Sequence, residues 1–429
     1  MFVDNYSFLV AASIVTLAAC MVGRILFLAI VGSSKKSSAA AGPRPMTWME
    51  EHMFLCDCFP KEANLPPTCN VINCAVLFKD SMPDRDSIEK LVKEKLLSFT
   101  RFSCVPDVKS HSWKPVDIDI NDHIFTTKPI ENRKALDDKI EEIINVPLPT
   151  DKPLWQLHLL PAADGAEQKD CVLFRSHHTL GDGISLVQLL DKIAVSPDGS
   201  PIVYINPKER KPVKMSITAK LVHGISFCLE LVRSFIANLL QTKCCFESEY
   251  GFNSSLSHRK GGLEYSGVRK SICFKPFSLE YVKAIKNKSP KKATVNDVLL
   301  GAMVGAMRRY GGDAVDDNTI MRMLIPVGAP LEFGANPPPE GDRLGNNFSF
   351  CSVDLSKTPC CFAGKQVESI YPIFLNIITQ VIVLSYNGKL MFNLTLDPNV
   401  VKDYDKFEGY YRDELLDMGR RLGVTDIEL

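Results

Sequence analysis

The residues best suited to chemistry form one short run, residues 175–183, which read RSHHTLGDG. The run lies between a predicted strand and a predicted helix, and a loop with rigid flanks presents its side chains to a cleft. An imidazole has an ordinary pKa of about 6.5, so at neutral pH His178 is available to take a proton from an alcohol. The run therefore predicts base catalysis with His178 at its centre.

Three other residues of this run have predicted supporting roles. Asp182 either accepts a hydrogen bond within the loop or pairs with Arg175, and both arrangements fix the shape that aims the imidazole. Gly183 allows the backbone to turn without a steric clash at Cβ. The predicted site thus consists of one reactive side chain and a loop built to hold it.

Other kinds of site fit the run less well. Neighbouring side chains diverge, so His177 and His178 are poor joint metal ligands, and neither an HExxH motif nor a third ligand lies nearby. The chain lacks the G-x-S-x-G of many serine hydrolases and the glycine signatures of kinases and dinucleotide-binding folds. A purely structural loop, with both histidines bonded to the backbone, stays open as the simpler alternative.

The composition is that of a folded protein of 429 residues, with 45% hydrophobic and 23% charged residues. Fifty Lys and Arg balance fifty Asp and Glu, which argues against a nucleic-acid partner, because phosphate binding needs a positive surface. The 14 cysteines include no C-x2-C pair. We therefore expect reduced, mostly buried thiols, which favour a body that faces the cytosol.

The N-terminus carries an uncharged run from Asn5 to Gly23, followed by Arg24. About 20 apolar residues cross a bilayer, so we expect residues 1–34 to form a membrane anchor with a transmembrane helix over residues 6–23. A cleaved signal peptide fits less well, because no basic residue precedes the run. Basic residues follow the span, which places the body in the cytosol by the positive-inside rule.

The rest of the chain divides by composition into four parts. Residues 206–260 form a basic and amphipathic connector, in which Met215–Leu240 is expected to lie on a membrane or to pack between lobes. The other expected parts are a linker at 35–45, an N-terminal lobe at 46–205 with the histidine run, and a C-terminal lobe at 261–429.

Both lobes mix predicted strands and helices, which gives an α/β (α+β) fold. The alternation of apolar residues predicts strands at 71–78, 157–160, 171–174, 272–274 and 320–326, and helical spacing predicts helices at 86–97, 135–144, 183–193, 277–287 and 294–307. Asn387-Gly388 joins two apolar runs within 379–394 and is the strongest hairpin signal in the chain.

The histidine run also resembles a known family. Its segment His177–Gly183 matches the HHxxxDG motif of the wax ester synthase/diacylglycerol acyltransferase family, and five further parts of the chain resemble family elements. The combination covers residues 46–405. These segments are Pro153-Leu154-Trp155 (PLW), Thr294–Val298 (the ND helix start), Leu344–Asn347 (the GN strand), Ala363–Val367 with Ile370–Pro372 (the late AG-x-x-V element) and Ser385–Gly388 (the final hairpin).

This resemblance implies a two-lobed CoA-dependent acyltransferase-like fold, similar to chloramphenicol acetyltransferase and condensation domains, with a tunnel between the lobes. It implies that His178 is the general base and that His177, Asp182 and Gly183 complete the motif, and we expect Arg175 and Trp155 to support it structurally. Two residues of the second lobe are expected at the substrate: Asn296, which is an oxyanion donor, a helix cap or a contact to the acceptor, and its neighbour Asp297.

The implied activity is membrane-bound transfer of a fatty acyl group from acyl-CoA to a long-chain alcohol, to diacylglycerol, or to both. The expected partners are acyl-CoA as co-substrate, the lipid acceptor and membrane lipid, with no metal, no other cofactor and no nucleic acid. Together with the anchor, such substrates predict a single-pass protein of the endoplasmic reticulum.

One departure from the family leaves alternatives open. Only residues 348–362 separate the GN strand from the AG-x-x-V element, and no S-N-x-x-G-P segment occurs, so the C-terminal lobe is expected to be shortened after residue 350. A catalytically impaired acyl-lipid-binding variant is therefore the alternative function. A third possibility is an acyltransferase of the same superfamily with a non-lipid acceptor.

Overall fold

The structure is a computed structural model, which describes residues 45–55, 70–202, 226, 265–290, 292–315, 354–355, 359–375 and 379–429. Several predicted elements lie outside the described residues. These are the span at 6–23, the linker before Pro45, the connector at 206–260 apart from Ser226, and the strands at 320–326 and 344–347.

Strands and helices are mixed along the described ranges. The strands are β1 (Val71–Phe78), β2 (Cys104–Asp107), β3 (Ser112–Pro115), β4 (Ile124–Thr126), β5 (Trp155–Leu160), β6 (Cys171–His177), β7 (Lys270–Cys273), β8 (Phe277–Ser278), β9 (Asp354–Leu355), β10 (Cys361–Phe362), β11 (Lys365–Phe374), β12 (Gln380–Tyr386) and β13 (Lys389–Leu396). The α-helices are α1 (Trp48–Leu55), α2 (Arg85–Glu94), α3 (Arg133–Ile144), α4 (Gly183–Ile193), α5 (Leu279–Lys288), α6 (Val295–Gly311) and α7 (Phe407–Arg421).

The larger sheet has the strand order β10-β11-β1-β6-β5-β4. Its central strand β1 pairs antiparallel with β6 on one edge, where Val71 lies opposite His177, and with β11 on the other, where Ile72 lies opposite Phe374. The predicted strand at 71–78 is confirmed over its whole length. Strand β11 comes from the late part of the chain, so this sheet is completed only when distant segments meet.

The second sheet has the order β7-β13-β12-β9, and β8 also pairs with β13. Asn387 and Gly388 have φ values of 46° and 76°, and the flanking Tyr386 and Lys389 pair across the turn. Positive φ at both central residues defines a type I′ turn, which matches the twist of the strands it joins. The hairpin predicted from Asn387-Gly388 is therefore confirmed.

Two hydrophobic cores accompany the two sheets, which confirms a two-lobed α/β fold. The first core packs α2, α3 and α4 against the larger sheet, with residues such as Ile88, Ile144 and Leu189 buried. The second packs α5, α6 and α7 against the smaller sheet around Phe274 and Tyr411, which are completely buried. Helices α2 and α3 bury apolar residues at helical spacing, such as Ile88 with Val92 and Leu136 with Ile140.

Side chains of α3 and its C-cap bind the edge of β7 and so tie the two cores together. Asn145 donates its Nδ2–H to the Arg269 carbonyl at 2.9 Å, and its Oδ1 accepts the Arg269 N–H at 2.8 Å. Glu141 accepts the N–H of Ser271 at 3.2 Å. These polar side chains take the place of a neighbouring strand, because buried backbone groups need partners.

The structure corrects two predicted helix starts. The helix predicted from residue 86 begins at Arg85, because its cap is Asp84, whose Oδ1 accepts the N–H of Ser87 at 2.7 Å. The helix predicted from Phe277 begins at Leu279, because residues 277–278 pair with β13 and Ser278 becomes the cap. In both cases, the residue whose oxygen satisfies an otherwise unpaired N–H at the helix end sets the boundary.

The prediction of a single-pass membrane protein of the endoplasmic reticulum is wrong. Within the ranges that the structure describes, no helix has both the length and the apolar character needed to cross a membrane. The longest of them, α6, has 17 residues and carries Asp297 near its start and Arg308 near its end, whereas a crossing takes about 20 apolar residues.

A close contact between α5 and α7 predicts a stability effect. A Cβ placed on Gly419 would lie 2.7 Å from Cζ of Tyr281, and Tyr281 is buried, so its ring cannot swing away. We expect Gly419→Ala to lower the free energy of unfolding by about 1–3 kcal/mol, measured by urea denaturation.

The matched control lies in the same helix. Among the described residues, a Cβ on Gly409 meets nothing within 4 Å. Gly409→Ala is therefore expected to be neutral or slightly stabilising, because helices favour Ala over Gly. Equal stability of the two variants would contradict the predicted packing of α5 on α7.

Candidate active site

The RSHHTLGDG run forms the turn between β6 and α4, which we call the histidine turn (residues 177–182). His177 ends β6, residues 178–180 form one turn of 3₁₀ helix, and Asp182 caps α4. Two backbone hydrogen bonds fix the start of the histidine turn. The His177 N–H donates to the Leu154 carbonyl at 2.9 Å, and the His178 N–H donates to the Asn70 carbonyl at 2.6 Å.

The two histidines have different surroundings. His177 is buried, and its Nδ1 accepts the N–H of Thr179 at 3.1 Å, so that nitrogen carries no proton. The ring of His178 is half-buried and lies edge-on to the Phe374 ring of β11, with centroids 5.5 Å apart. One imidazole shapes the turn, while the other is partly exposed beside the Phe374 ring of β11.

Asp182 caps α4 rather than pairing with Arg175. Its Oδ1 accepts the N–H of Ser185 at 2.9 Å, and the residue is buried. This is the first of the two predicted arrangements, a hydrogen bond within the loop. A carboxylate at a helix N-terminus also interacts favourably with the helix dipole.

Arg175 instead forms a buried polar row across the larger sheet. Its Nε donates to Asn73 Oδ1 at 3.2 Å, its Nη1 donates to Gln156 Oε1 at 2.9 Å, and its Nη2 donates to the Val146 carbonyl. Asn73 and Gln156 lie opposite Arg175 on β1 and β5. Burial lowers the pKa of the Arg175 guanidinium to about 10, and the row fixes the strand register two residues before His177.

Trp155 supports the first core from the strand next to β6. It is completely buried, its Nε1–H donates to the Phe102 carbonyl at 2.9 Å, and its ring stacks on His123 with centroids 4.3 Å apart. The Nδ1–H of His123 donates to the Trp155 carbonyl at 2.8 Å, and burial lowers the pKa of His123. Trp155 thus has a packing position rather than an exposed one.

The steric reason predicted for Gly183 is wrong. Among the described residues, a Cβ at this position would meet nothing within 4 Å, and Gly183 begins α4 without a left-handed φ. The residue is exposed beside the buried Asp182.

The second-lobe candidates lie in the first turn of α6. The cap is Thr294, not Asn296, and it forms a capping box with Asp297. The Asp297 carboxylate accepts the Thr294 N–H at 2.7 Å, a bond that lowers the pKa of Asp297. Asn296 is exposed at the second position of the helix, so its oxyanion and acceptor roles stay predictions.

Sequence reasoning missed two residues that contact the histidine turn, Glu50 and Arg101. Thr179 donates its Oγ1–H to the Glu50 carbonyl at 2.8 Å, and Arg101 donates to the Leu180 carbonyl at 2.8 Å. Thr47-x-x-Glu50 is a capping-box pattern that could have marked the start of α1. Arg101 carries no such local signal, because only the tertiary fold buries it.

Most of the described cysteines are buried, as predicted, and Cys74, Cys171, Cys273 and Cys361 are free thiols. Burial raises the pKa of Cys74 and of Cys273 to about 12, and it also raises the pKa of Cys171. A nucleophilic cysteine works as a thiolate, so these three thiols are poorly suited to carry an acyl group.

Solved structures share this fold. The wax ester synthase/diacylglycerol acyltransferase from Marinobacter aquaeolei VT8 is similar with a TM-score of 0.56 at 13% identity, covering 89% of this chain and 100% of that chain. The first condensation domain of the CDA synthetase gives a TM-score of 0.53 at 13% identity, covering 88% of this chain and 97% of that one. The architecture is therefore that of a class of folds that includes both of these proteins.

The sequence identifies the family within that class. Residues 86–299 match the wax ester synthase/diacylglycerol acyltransferase catalytic domain, and residues 276–419 match the WS/DGAT C-terminal domain. Wax ester synthase/diacylglycerol acyltransferase 5 of Arabidopsis thaliana is 28% identical over 267 residues. Wax ester synthase/diacylglycerol acyltransferase 6 of the same species is 29% identical over 273 residues. The chain belongs to the wax ester synthase/diacylglycerol acyltransferase family.

The match to these relatives is partial in length. It covers 56% of this chain and 51% of the first relative, and 57% and 51% for the second. The chain thus spans about half the length of the curated relatives that it matches.

His158, next to the Arg175 row, predicts an acid-dependent loss of stability. Burial, together with the positive charges of Arg175 and Lys139, lowers the pKa of His158 to about 4. In an unfolded chain the same group takes up its proton below about pH 6.5. Between these two values the unfolded state binds a proton that the folded state does not, so the free energy of unfolding falls as the pH drops.

Urea denaturation at pH 7, 6 and 5 measures this effect. We expect His158→Gln, which carries no titrating group at this position, to lose stability less steeply with falling pH than the unsubstituted protein. His111→Gln is the control, because His111 is exposed and pairs only with Glu51 at the surface. Parallel pH profiles for all three proteins would contradict the assignment to His158.

Proposed function

We propose that this chain transfers a fatty acyl group from acyl-CoA to a long-chain alcohol, to diacylglycerol, or to both. The observation that carries the proposal is the histidine turn, which holds a half-buried His178 at the end of β6 in a member of this family. The names of the relatives include both wax ester synthase and diacylglycerol acyltransferase. They therefore do not choose between a long-chain alcohol and diacylglycerol as the acceptor.

In this mechanism the imidazole of His178 takes the hydroxyl proton as the alcohol oxygen attacks the thioester carbonyl. The carbon–sulfur bond then breaks, and the imidazolium returns the proton to the departing CoA thiolate. No acyl-enzyme is needed, in keeping with the raised thiol pKa values of Cys74 and Cys273. His177 and Asp182 hold the turn, and Asn296 is the proposed donor to the oxyanion.

The test supplies labelled palmitoyl-CoA with hexadecanol or diacylglycerol to lysates of cells that lack neutral-lipid synthesis and express the whole chain. We expect labelled wax ester or triacylglycerol, and we expect His178→Ala to reduce its formation at least ~100-fold, because general base catalysis contributes about 10²–10⁴-fold. Thermal melting checks that the variant is folded.

The matched control is His111→Ala, which removes an exposed histidine far from the histidine turn in sequence. It is expected to retain full activity. Normal ester formation by folded His178→Ala would refute the proposed base. The acceptor that yields product decides between wax ester and triacylglycerol synthesis.

A second candidate function is an acyl-lipid-binding protein with impaired catalysis. It is favoured by the partial match, which covers only 51% of the first curated relative, and by the predicted shortening after residue 350. In that case, the folded protein binds long-chain acyl-CoA in an equilibrium assay but forms no ester with either acceptor.

A further inference from the structure

A buried ion pair lies between α1 and the histidine turn. Arg101 Nη2 is 2.5 Å from Glu50 Oε1, and each side chain is only 1% exposed. The other carboxylate oxygen accepts the Nε1–H of Trp113 at 3.2 Å and the N–H of Thr47 at 2.8 Å. The Glu50 carboxylate is therefore surrounded by three donors from three separate segments of the chain.

Both partners of this pair also hold the histidine turn. Arg101 donates through Nη1 to the carbonyl of Leu180, and the carbonyl of Glu50 accepts the hydroxyl hydrogen of Thr179, each at 2.8 Å. Thr179 and Leu180 directly follow His178. Two consecutive residues of the turn are thus fixed by one ion pair, at positions where a small rotation would move the imidazole.

The same helix reaches the two histidines. The ring of Phe54 on α1 lies edge-on to His177, with centroids 6.0 Å apart. Asn70 donates its Nδ2–H to the Met53 carbonyl at 2.9 Å, and its own carbonyl accepts the His178 N–H at 2.6 Å. Each residue from 177 to 180 is therefore tied to α1, directly or through one intermediate residue.

A buried ion pair is a poor device for stability alone, because removing two charges from water offsets most of their attraction, and apolar pairs of similar volume are often as stable. It does fix geometry, because the guanidinium donates in fixed directions. We propose that Glu50, acting with Arg101, is a positioning residue that sets the orientation of His178. This inference rests on the proposed function, in which His178 is the base.

The first test is Glu50→Gln. The amide keeps the shape of the side chain, but it offers one acceptor oxygen to three donors and removes the charge that holds Arg101. We expect kcat to fall about 10- to 100-fold with KM nearly unchanged, because small displacements of a catalytic group cost rate rather than binding. The control is Glu51→Gln, the same substitution one residue later, where the carboxylate binds only the exposed His111.

The second test separates positioning from folding. In Glu50→Leu/Arg101→Met, an apolar pair replaces the ions, so we expect the melting temperature to equal or exceed that of the unsubstituted protein. The kcat of this variant is expected to stay low, because Leu180 has lost its donor. Recovery of both stability and kcat would overturn the proposal, and so would wild-type kcat in folded Glu50→Gln.

A third readout does not depend on ester formation. In protein labelled with ¹³C-histidine, the His178 ring resonance is assigned by its loss in His178→Ala. We expect Glu50→Gln to shift or broaden this resonance and to leave that of His158 in place. An unchanged His178 resonance refutes the positioning role even if the unsubstituted chain forms no ester, whereas a shifted resonance without ester formation refutes only the proposed function.

Discussion

The antiparallel pairing of β1 with β6 on one edge and β11 on the other determines where the candidate base lies. Val71 opposite His177 sets the point where β6 ends, and Phe374, paired with Ile72, brings the ring that His178 faces. Side chains alternate between the faces of a sheet, so a slip of one residue in either pairing would reverse both relationships. Strands β1 and β11 lie about 300 residues apart in the sequence. The surroundings of the histidine turn therefore form only when these two distant strands pair.

Two buried arginines hold the segments on either side of His178, Arg175 the strand before it and Arg101 the residues after it. Arg175 fixes the register of β6 against its neighbours β1 and β5, through Asn73 and Gln156, before the turn begins. Arg101 fixes the residues after His178, through the carbonyl of Leu180 and the carboxylate of Glu50. Burying a guanidinium is costly unless its donors are satisfied. This cost in free energy is reasonable where orientation matters more than stability. Both arginines lie beside the histidine turn, which carries the family motif.

Local sequence signals predicted the elements well, because their causes are local. The helix after Asp182, the strand at 71–78 and the Asn387-Gly388 hairpin depend on capping, alternation and turn geometry within a few residues. Predictions of features that depend on contacts with distant segments of the chain were less accurate. The start of α5 moved because β8 pairs with β13, and the cap of α6 is Thr294, which forms a capping box with Asp297. The membrane assignment failed for the described residues because their longest helix is short and charged at both ends.

The sequence by itself determined the family, the histidine turn and the two-lobed mixture of strands and helices. It did so because a motif, a cap or a periodic apolar face needs only its neighbours along the chain. The tertiary structure alone decided that Arg175 joins Asn73 and Gln156 rather than Asp182, that Glu50 and Arg101 hold the turn, and that β11 completes the first sheet. These outcomes depend on strand register and on burial, and both arise only when segments distant in sequence exclude water from each other.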